Sequence, residues 1–371
     1  MTSPGGAPGG LAFYTPPAPL LAAPPGQVIW TRPLTGAAAL PGAAANLLIL
    51  YHCATAGGQD TAVSGTVAIP RGRPPAGGWP VLSWAHGTTG VADICAPSRD
   101  APGHPAHIYL QLADTILNLW LQRGWVIART DYPGLGTPGR HPYLAGNAET
   151  CSTIDIVTAA RQTHSGIGRR WTVMGHDQGG HAALATASLA SSRTPDLDLI
   201  GAVAIAPAAG AYEVINRLGE PGARAVRPGF LALTLLGAAA ADPGIRLGEL
   251  LTPAALRLLA IARLRGIDDL LTLPSPELAN PFKPGCDRRR LLAILAASDP
   301  ALLSPRVPCL IAQGTADPIA DVGQVRQLTQ SLAARGATID CHLYPGAGHF
   351  DVIEAAYTRT ARWIGARLAD Q

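Results

Sequence analysis

Short apolar runs recur along the chain, each closed by glycine, proline or a charged residue, with stretches of helical periodicity between them. The strand-like runs are "NLLILYHC" from Asn46, "TAVSGTVAIP" from Thr61, "WPVLSWAH" from Trp79 and "GWVIARTDY" from Gly124. They continue with "RWTVMG" from Arg170, "LIGAVAIAP" from Leu199, "PCLIAQG" from Pro308 and "TIDCHLYPG" from Thr338. Amphipathic patterns such as "HIYLQLADTILNLWLQRG" and "TIDIVTAARQTH" separate them. Strand and helix in alternation predict an α/β fold, with a mostly parallel sheet covered by helices on both faces. No internal repeat is visible.

One stretch breaks the alternation. From Ala208 to about Ser304 the chain shows helical patterns and Pro/Gly turns without a convincing strand. This predicts a helical cap at 208–304 inserted into a core made of 13–207 and 305–371, with residues 1–12, rich in Gly and Pro, disordered. An ordinary run of peripheral helices is the plainer alternative for 208–304. The longest apolar run, "FLALTLLGAAAA" from Phe230, is shorter than the ~20 residues of a membrane-spanning helix, so it reads as a buried or lid helix.

Composition narrows the function. Hydrophobic residues make up 47% and charged residues 14% of 371, enough apolar material for a large core. A net charge of +3 leaves no electrostatic footprint for nucleic acid. Positive charge comes from arginine, with Lys283 the sole lysine. The first residues lack a basic segment followed by an apolar one, so the chain as it stands reads as cytoplasmic, or as secreted if a signal was removed. Its six cysteines include no C-x-x-C pair, which argues against a metal cluster. Cys309 and Cys341, inside apolar runs, read as small core residues; Cys95 and Cys286, in Pro-flanked loops, are the pair a disulfide would use in an oxidising compartment.

The chemistry centres on "GHDQGG", Gly175 to Gly180. An apolar strand leads in and an alanine-rich helix leads out, the setting of a nucleophile elbow, yet its centre is Asp177. A capping aspartate at the helix start is the structural alternative. "GTADPIAD" places Asp317 after a strand, and "GAGHF" places His349 after the last one. Nucleophile, acid, histidine is the chain order of an α/β-hydrolase triad. Asp317 would hold the imidazole tautomer of His349, and His349 would activate water. "WAHGTTG", Trp84 to Gly90, would supply one oxyanion-hole N–H from Thr88, or from its neighbour Thr89, and Gln178 the other. His86 and His176 read as spacing or hydrogen-bonding residues, and Asp131 in "DYPGLG" as structural.

These segments, with "FYTPPAPLLAAPPG", "DICAPS" and "DYPGLGTPGRHPYL", resemble the secretory lipase family of α/β-hydrolases over nearly the whole chain from Phe13. That family acts on esters and triacylglycerols. The aliphatic cap suggests a small apolar or lipid-like substrate, and no cofactor or metal is expected. The resemblance implies a core sheet, a helical lid and a Ser–Asp–His triad at positions 177, 317 and 349. Here the triad serine is Asp177.

That substitution changes the accessible reaction. A carboxylate attacking an ester would form a mixed anhydride while expelling a more basic alkoxide, which is steeply uphill. Against an sp³ carbon it forms an alkyl ester that water then cleaves. Locally the elbow resembles those of epoxide hydrolases and haloalkane dehalogenases, which usually carry Trp where Gln178 stands. Epoxide opening needs phenols to protonate the ring oxygen, and Tyr212 or Tyr143 are the candidates. Three functions stay open: a hydrolase with Asp177 as nucleophile, most simply on an epoxide; a lipase or esterase scaffold whose serine has been replaced; and a non-catalytic, ligand-binding pseudo-hydrolase.

Overall fold

All eight apolar runs are strands of one nine-stranded sheet in the computed structural model, which describes residues 6–55, 58–145, 148–218, 220, 226–273 and 280–369. In chain order the strands are β1 (Val28–Pro33), β2 (Ala45–Ala54), β3 (Asp60–Ile69), β4 (Trp79–Ala85), β5 (Val126–Thr130), β6 (Ile167–His176), β7 (Asp198–Ile205), β8 (Cys309–Gly314) and β9 (Ile339–Tyr344). Their order across the sheet is β1-β2-β3-β5-β4-β6-β7-β8-β9. The pairs β1–β2, β2–β3 and β3–β5 are antiparallel and every later pair is parallel, which makes the sheet mostly parallel, as the alternating pattern predicts.

The sequence pattern does not predict β1. It is a half-buried edge strand closed by Pro33, with no alternation and no apolar run to mark it.

Helices cover both faces. α1 (His107–Gln122), α2 (Ala148–Thr163) and α3 (Gln178–Arg193) join the strands of the first half. Between β7 and β8 come α4 (Ala211–Arg217), α5 (Pro228–Ala241), α6 (Leu247–Leu250), α7 (Pro253–Ala262), α8 (Ile267–Leu271) and α9 (Arg289–Ala297). α10 (Val322–Ala334), α11 (Asp351–Ala355) and α12 (Tyr357–Ala369) complete the second half. Ile154, Val157, Leu184 and Leu328 pack on one sheet face, and Leu117, Trp120, Val352 and Ile364 on the other.

Among the described residues, 208–304 holds helices and two isolated backbone bridges, Gly90 with Gly266 and Leu251 with Phe282. These helices have an apolar cluster of their own, built on Leu233, Leu235, Leu259 and Leu295, which also takes in Tyr143 and Leu144 of the core. The run from Phe230 lies in α5, buried on most of its surface. Among the described residues no helix is long and apolar enough to cross a membrane.

Two local expectations differ. Of the segment 1–12, residues 1–5 lie outside the described residues, but Gly10–Tyr14 form a 3-10 turn that carries Phe13 and Tyr14 into a buried cluster with Leu48 and Leu50. Cys309 is buried, whereas Cys341 is exposed because β9 is the outermost strand. All six cysteines are free: Cys95 packs beside Ala85 and Tyr132, and Cys286 against the inserted helices, so the two do not form a disulfide.

Candidate active site

The strand order reverses direction at β4, which has β5 on one side and β6 on the other. Doubly wound sheets open a crevice at the carboxyl ends of the strands at such a point. The turns after β4 and β6 meet there.

β6 ends at His176 and α3 starts at Gln178, leaving one residue to reverse the chain. That residue, Asp177, takes φ 54° and ψ −116°, a left-handed backbone unusual for a side-chain-bearing residue. The bend is sharp enough that a Cβ on Gly175 would strike the backbone of Gly179, and one on Gly179 the carbonyl groups of Ala85 and His86. The glycine frame is thus a steric requirement of strand and helix crossing at contact.

Asp177 does not cap α3. Its carboxylate turns instead to the loop after β4. Oδ2 accepts a hydrogen bond from the Thr88 backbone N–H at 3.1 Å and a second, short one from the Thr88 hydroxyl. Because that hydroxyl hydrogen goes to Asp177, the Thr88 oxygen accepts from Tyr143 at 2.8 Å. A relay therefore runs from Tyr143 through Thr88 to Asp177.

Oδ1 of Asp177 lies 3.7 Å from His349 Nε2. On the far side of the ring, Nδ1–H donates to Asp317 Oδ2 at 2.8 Å, which sets the tautomer and leaves Nε2 toward Asp177. Asp317 is held by the backbone N–H groups of Ile319 (2.8 Å) and Ala320 (2.9 Å) and by the Gln313 amide at 3.1 Å. Burial pushes its carboxyl up, but the hydrogen bond and charge of His349, with the N–H of Ile319 and the Gln313 amide, hold it below the usual range.

The supporting histidines fit their expected structural parts. His176 Nε2 donates to the His349 carbonyl at 2.9 Å, and its ring lies 4.5 Å from that of His349. Burial and the neighbouring His349 lower its pKa to about 3. His86 faces the carbonyls of Gly87 and Asp131, and burial lowers it to about 4. Asp131 accepts from Ser64 and Ser98, a structural use.

Gln178, whose backbone N–H is expected at the oxyanion hole, opens α3 with its side chain buried. Its amide N–H₂ donates to Glu149 Oε1 at 2.6 Å and to His141 Nε2 at 2.8 Å. Glu149 also accepts from the Leu144 N–H at 2.8 Å and lies 3.6 Å from His181 Nδ1. Sequence reasoning does not single out Glu149, His141 or His181. The His181 of "GHDQGGH", one helical turn past Asp177, was the available signal.

Two cavities meet at Asp177. One, of about 170 Å³, is lined by Tyr143, His181, Tyr212, Phe230, Leu295 and other residues of the inserted helices and β-strand ends. The other, of about 20 Å³, lies between Asp177, His349, Thr88 and His176. Tyr212 therefore faces the larger cavity, and Tyr143 faces it with its hydroxyl hydrogen committed to Thr88.

The fold is that of the α/β-hydrolases, and residues 103–252 match the secretory lipase family. The chain is 26% identical to a probable inactive lipase of Mycobacterium tuberculosis over 96% of this chain and 81% of that one. It is 26% identical to Lipase A of Moesziomyces aphidis over 51% of this chain and 41% of that one. The closed state of Candida antarctica lipase A shares the fold with a TM-score of 0.80 at 22% identity, covering 96% of this chain and 85% of that one. The ligand-bound rice cell wall degrading esterase LipA of Xanthomonas oryzae shares it at 0.69 and 20% identity, covering 94% and 98%.

Proposed function

We propose that the protein is a lipase-like α/β-hydrolase in which Asp177 attacks an sp³ carbon of a small apolar or lipid-like substrate, most simply an epoxide. The observation that carries this reading is the position of Asp177 between the ~170 Å³ and ~20 Å³ cavities. The larger suits a substrate beneath the inserted helices, which then act as a lid. The smaller has the volume of about one water, bounded by Asp177 and by the Nε2 face of His349.

In the first half-reaction, Oδ1 of Asp177 bonds to the ring carbon as the ring C–O bond breaks, giving an alkyl ester. In the second, His349 removes a proton from water, and the hydroxide adds to the Asp177 carbonyl carbon. Thr88 donates to Oδ2, the oxygen that becomes an oxyanion in that step, which supports it as one oxyanion donor of the scheme, with the Gln178 N–H as the second. Asp317 keeps the imidazole oriented and stabilises its cation. Trapping tests this. In H349Q, incubation with an epoxide raises the protein mass by one substrate, and D177N/H349Q shows no increase. An unmodified H349Q defeats the reading.

A second reading draws on the Mycobacterium tuberculosis relative, named a probable inactive lipase. The fold would then hold an apolar ligand without turning it over. Ligand binding by the wild type, with no adduct in H349Q, supports this alternative.

A further inference from the structure

We propose that His181, rather than a tyrosine, is the catalytic acid that protonates the ring oxygen when Asp177 opens an epoxide. This rests on Asp177 acting as nucleophile and supplies the proton donor that reaction needs.

Epoxide opening expels an alkoxide, and a buried alkoxide without a proton is costly. Tyr143 is poorly placed to help. Its hydroxyl hydrogen goes to Thr88, and burial, with Asp177 nearby, pushes the phenol well above its ordinary pKa. Tyr212, at the start of α4, faces the cavity as a phenol without a charged partner among the described residues.

His181 is positioned differently. It sits one turn into α3, and its backbone N–H donates to the Asp177 carbonyl at 3.1 Å. Both residues line the larger cavity, so a substrate touching one can touch the other. His349 does not line that cavity but borders the water-sized one, which Asp177 also lines. One imidazole therefore lines the larger cavity and the other the water-sized one, with Asp177 lining both.

The surroundings of His181 favour the cation. Nε2–H donates to the Ser298 carbonyl at 2.8 Å, and Nδ1 faces Glu149 Oε2 at 3.6 Å. Glu149 is itself buried and fixed by Gln178 and Leu144. Burial alone would lower the imidazole pKa, but Glu149, the Ser298 carbonyl and Asp299 together raise it above its ordinary value. His141 lies 3.8 Å from the same Glu149, and burial lowers its pKa. A cationic imidazole is a far stronger acid than a phenol.

The Nε2–H points at a neutral carbonyl of Ser298, a residue that lines the same cavity. An alkoxide forming in that cavity competes for this hydrogen as a charged acceptor, and charge-assisted bonds are the stronger. The step balances. The ring C–O pair goes to oxygen, which takes the His181 proton as the Asp177 ester forms. Hydrolysis of that ester regenerates the Asp177 carboxyl, and its ionisation returns a proton to His181.

The test measures alkylation and ester hydrolysis separately, with a terminal aryl epoxide as probe. In the H349Q background, H181Q is expected to slow adduct formation about 100-fold, within the usual range for a general acid. With His349 present, hydrolysis of adduct already formed on H181Q proceeds at the wild-type rate. A merely structural loss would slow both steps. With His181 intact, alkylation falls as pH rises through the folded pKa of His181, above the ordinary imidazole value, and H181Q removes that dependence. E149Q shifts the fall to lower pH, a readout that survives if H181Q does not fold. Unchanged alkylation by H181Q, or a flat profile with His181 intact, overturns the proposal while leaving Asp177 as nucleophile. Absence of any adduct on H349Q overturns both.

Discussion

Thr88 and Asp177 are joined twice: the backbone N–H and the hydroxyl of Thr88 both donate to the same carboxylate oxygen, Oδ2. In a serine enzyme that position would receive the substrate's carbonyl oxygen. Here the protein's own carboxylate fills it, with Oδ1 left facing His349. On the proposed reading, this leaves Oδ1 to attack and keeps Oδ2 on the donors that would stabilise the later oxyanion.

Removing the hydroxyl of Thr88 tests this pairing. T88V keeps the backbone N–H and the side-chain shape, and is expected to slow alkyl-enzyme hydrolysis by about 100-fold. It also leaves the buried Tyr143 hydroxyl unpaired, at about 1–3 kcal/mol of stability. T88S should restore both. Single-turnover kinetics and thermal melting separate the two effects.

Restoring serine tests the lipase inheritance. D177S retains the Asp317–His349 pair and frees the Thr88 donors, so short-chain p-nitrophenyl ester hydrolysis should rise at least about 100-fold above D177A. An unchanged rate would show that the cavity no longer accepts esters.

The elbow should tolerate no side chain at Gly179. A Cβ there meets the carbonyls of Ala85 and His86, backbone that cannot give way cheaply. G179A is expected to cost more than about 4 kcal/mol, read as loss of soluble protein or a large fall in Tm. Near-wild-type melting would contradict the packing described.

Buried neutral histidines make stability fall in mild acid. His86 and His176 have folded pKa values of about 4 and about 3, and an ordinary value once unfolded. Between about pH 6.5 and 4 the unfolded chain binds more protons, so stability drops as pH falls. Asp317, held low in the folded state, adds a further loss at more acidic pH. Raised His181 acts in the opposite sense, contributing stability that disappears as pH rises through its folded pKa. Urea melts across this range should show the acid-side loss, diminished in H176Q if that variant folds.

Much of the architecture is legible because buried parallel strands leave continuous apolar runs, and the turns that follow them carry Asp177, Asp317 and His349 in that chain order. β1 was missed because an edge strand ending in Pro33 carries no such run. Cys341 looked buried because an outermost strand has the composition of an inner one. The less visible part of the site consists of contacts between distant segments. Thr88 meets Asp177 across 89 positions, and Gln178 meets Glu149 across 29. Local pattern does not encode such pairings, so neither the Thr88 hydroxyl nor the Glu149–His181 pair could be read in advance.

The central claim is that Asp177 becomes covalently attached to substrate, and isotope transfer measures it most directly. Wild-type protein in excess over an epoxide, turned over once in ¹⁸O-water and digested, should carry ¹⁸O in the peptide containing Asp177. Product turnover with that peptide unlabelled would mean that water attacks the substrate itself, and would contradict the account.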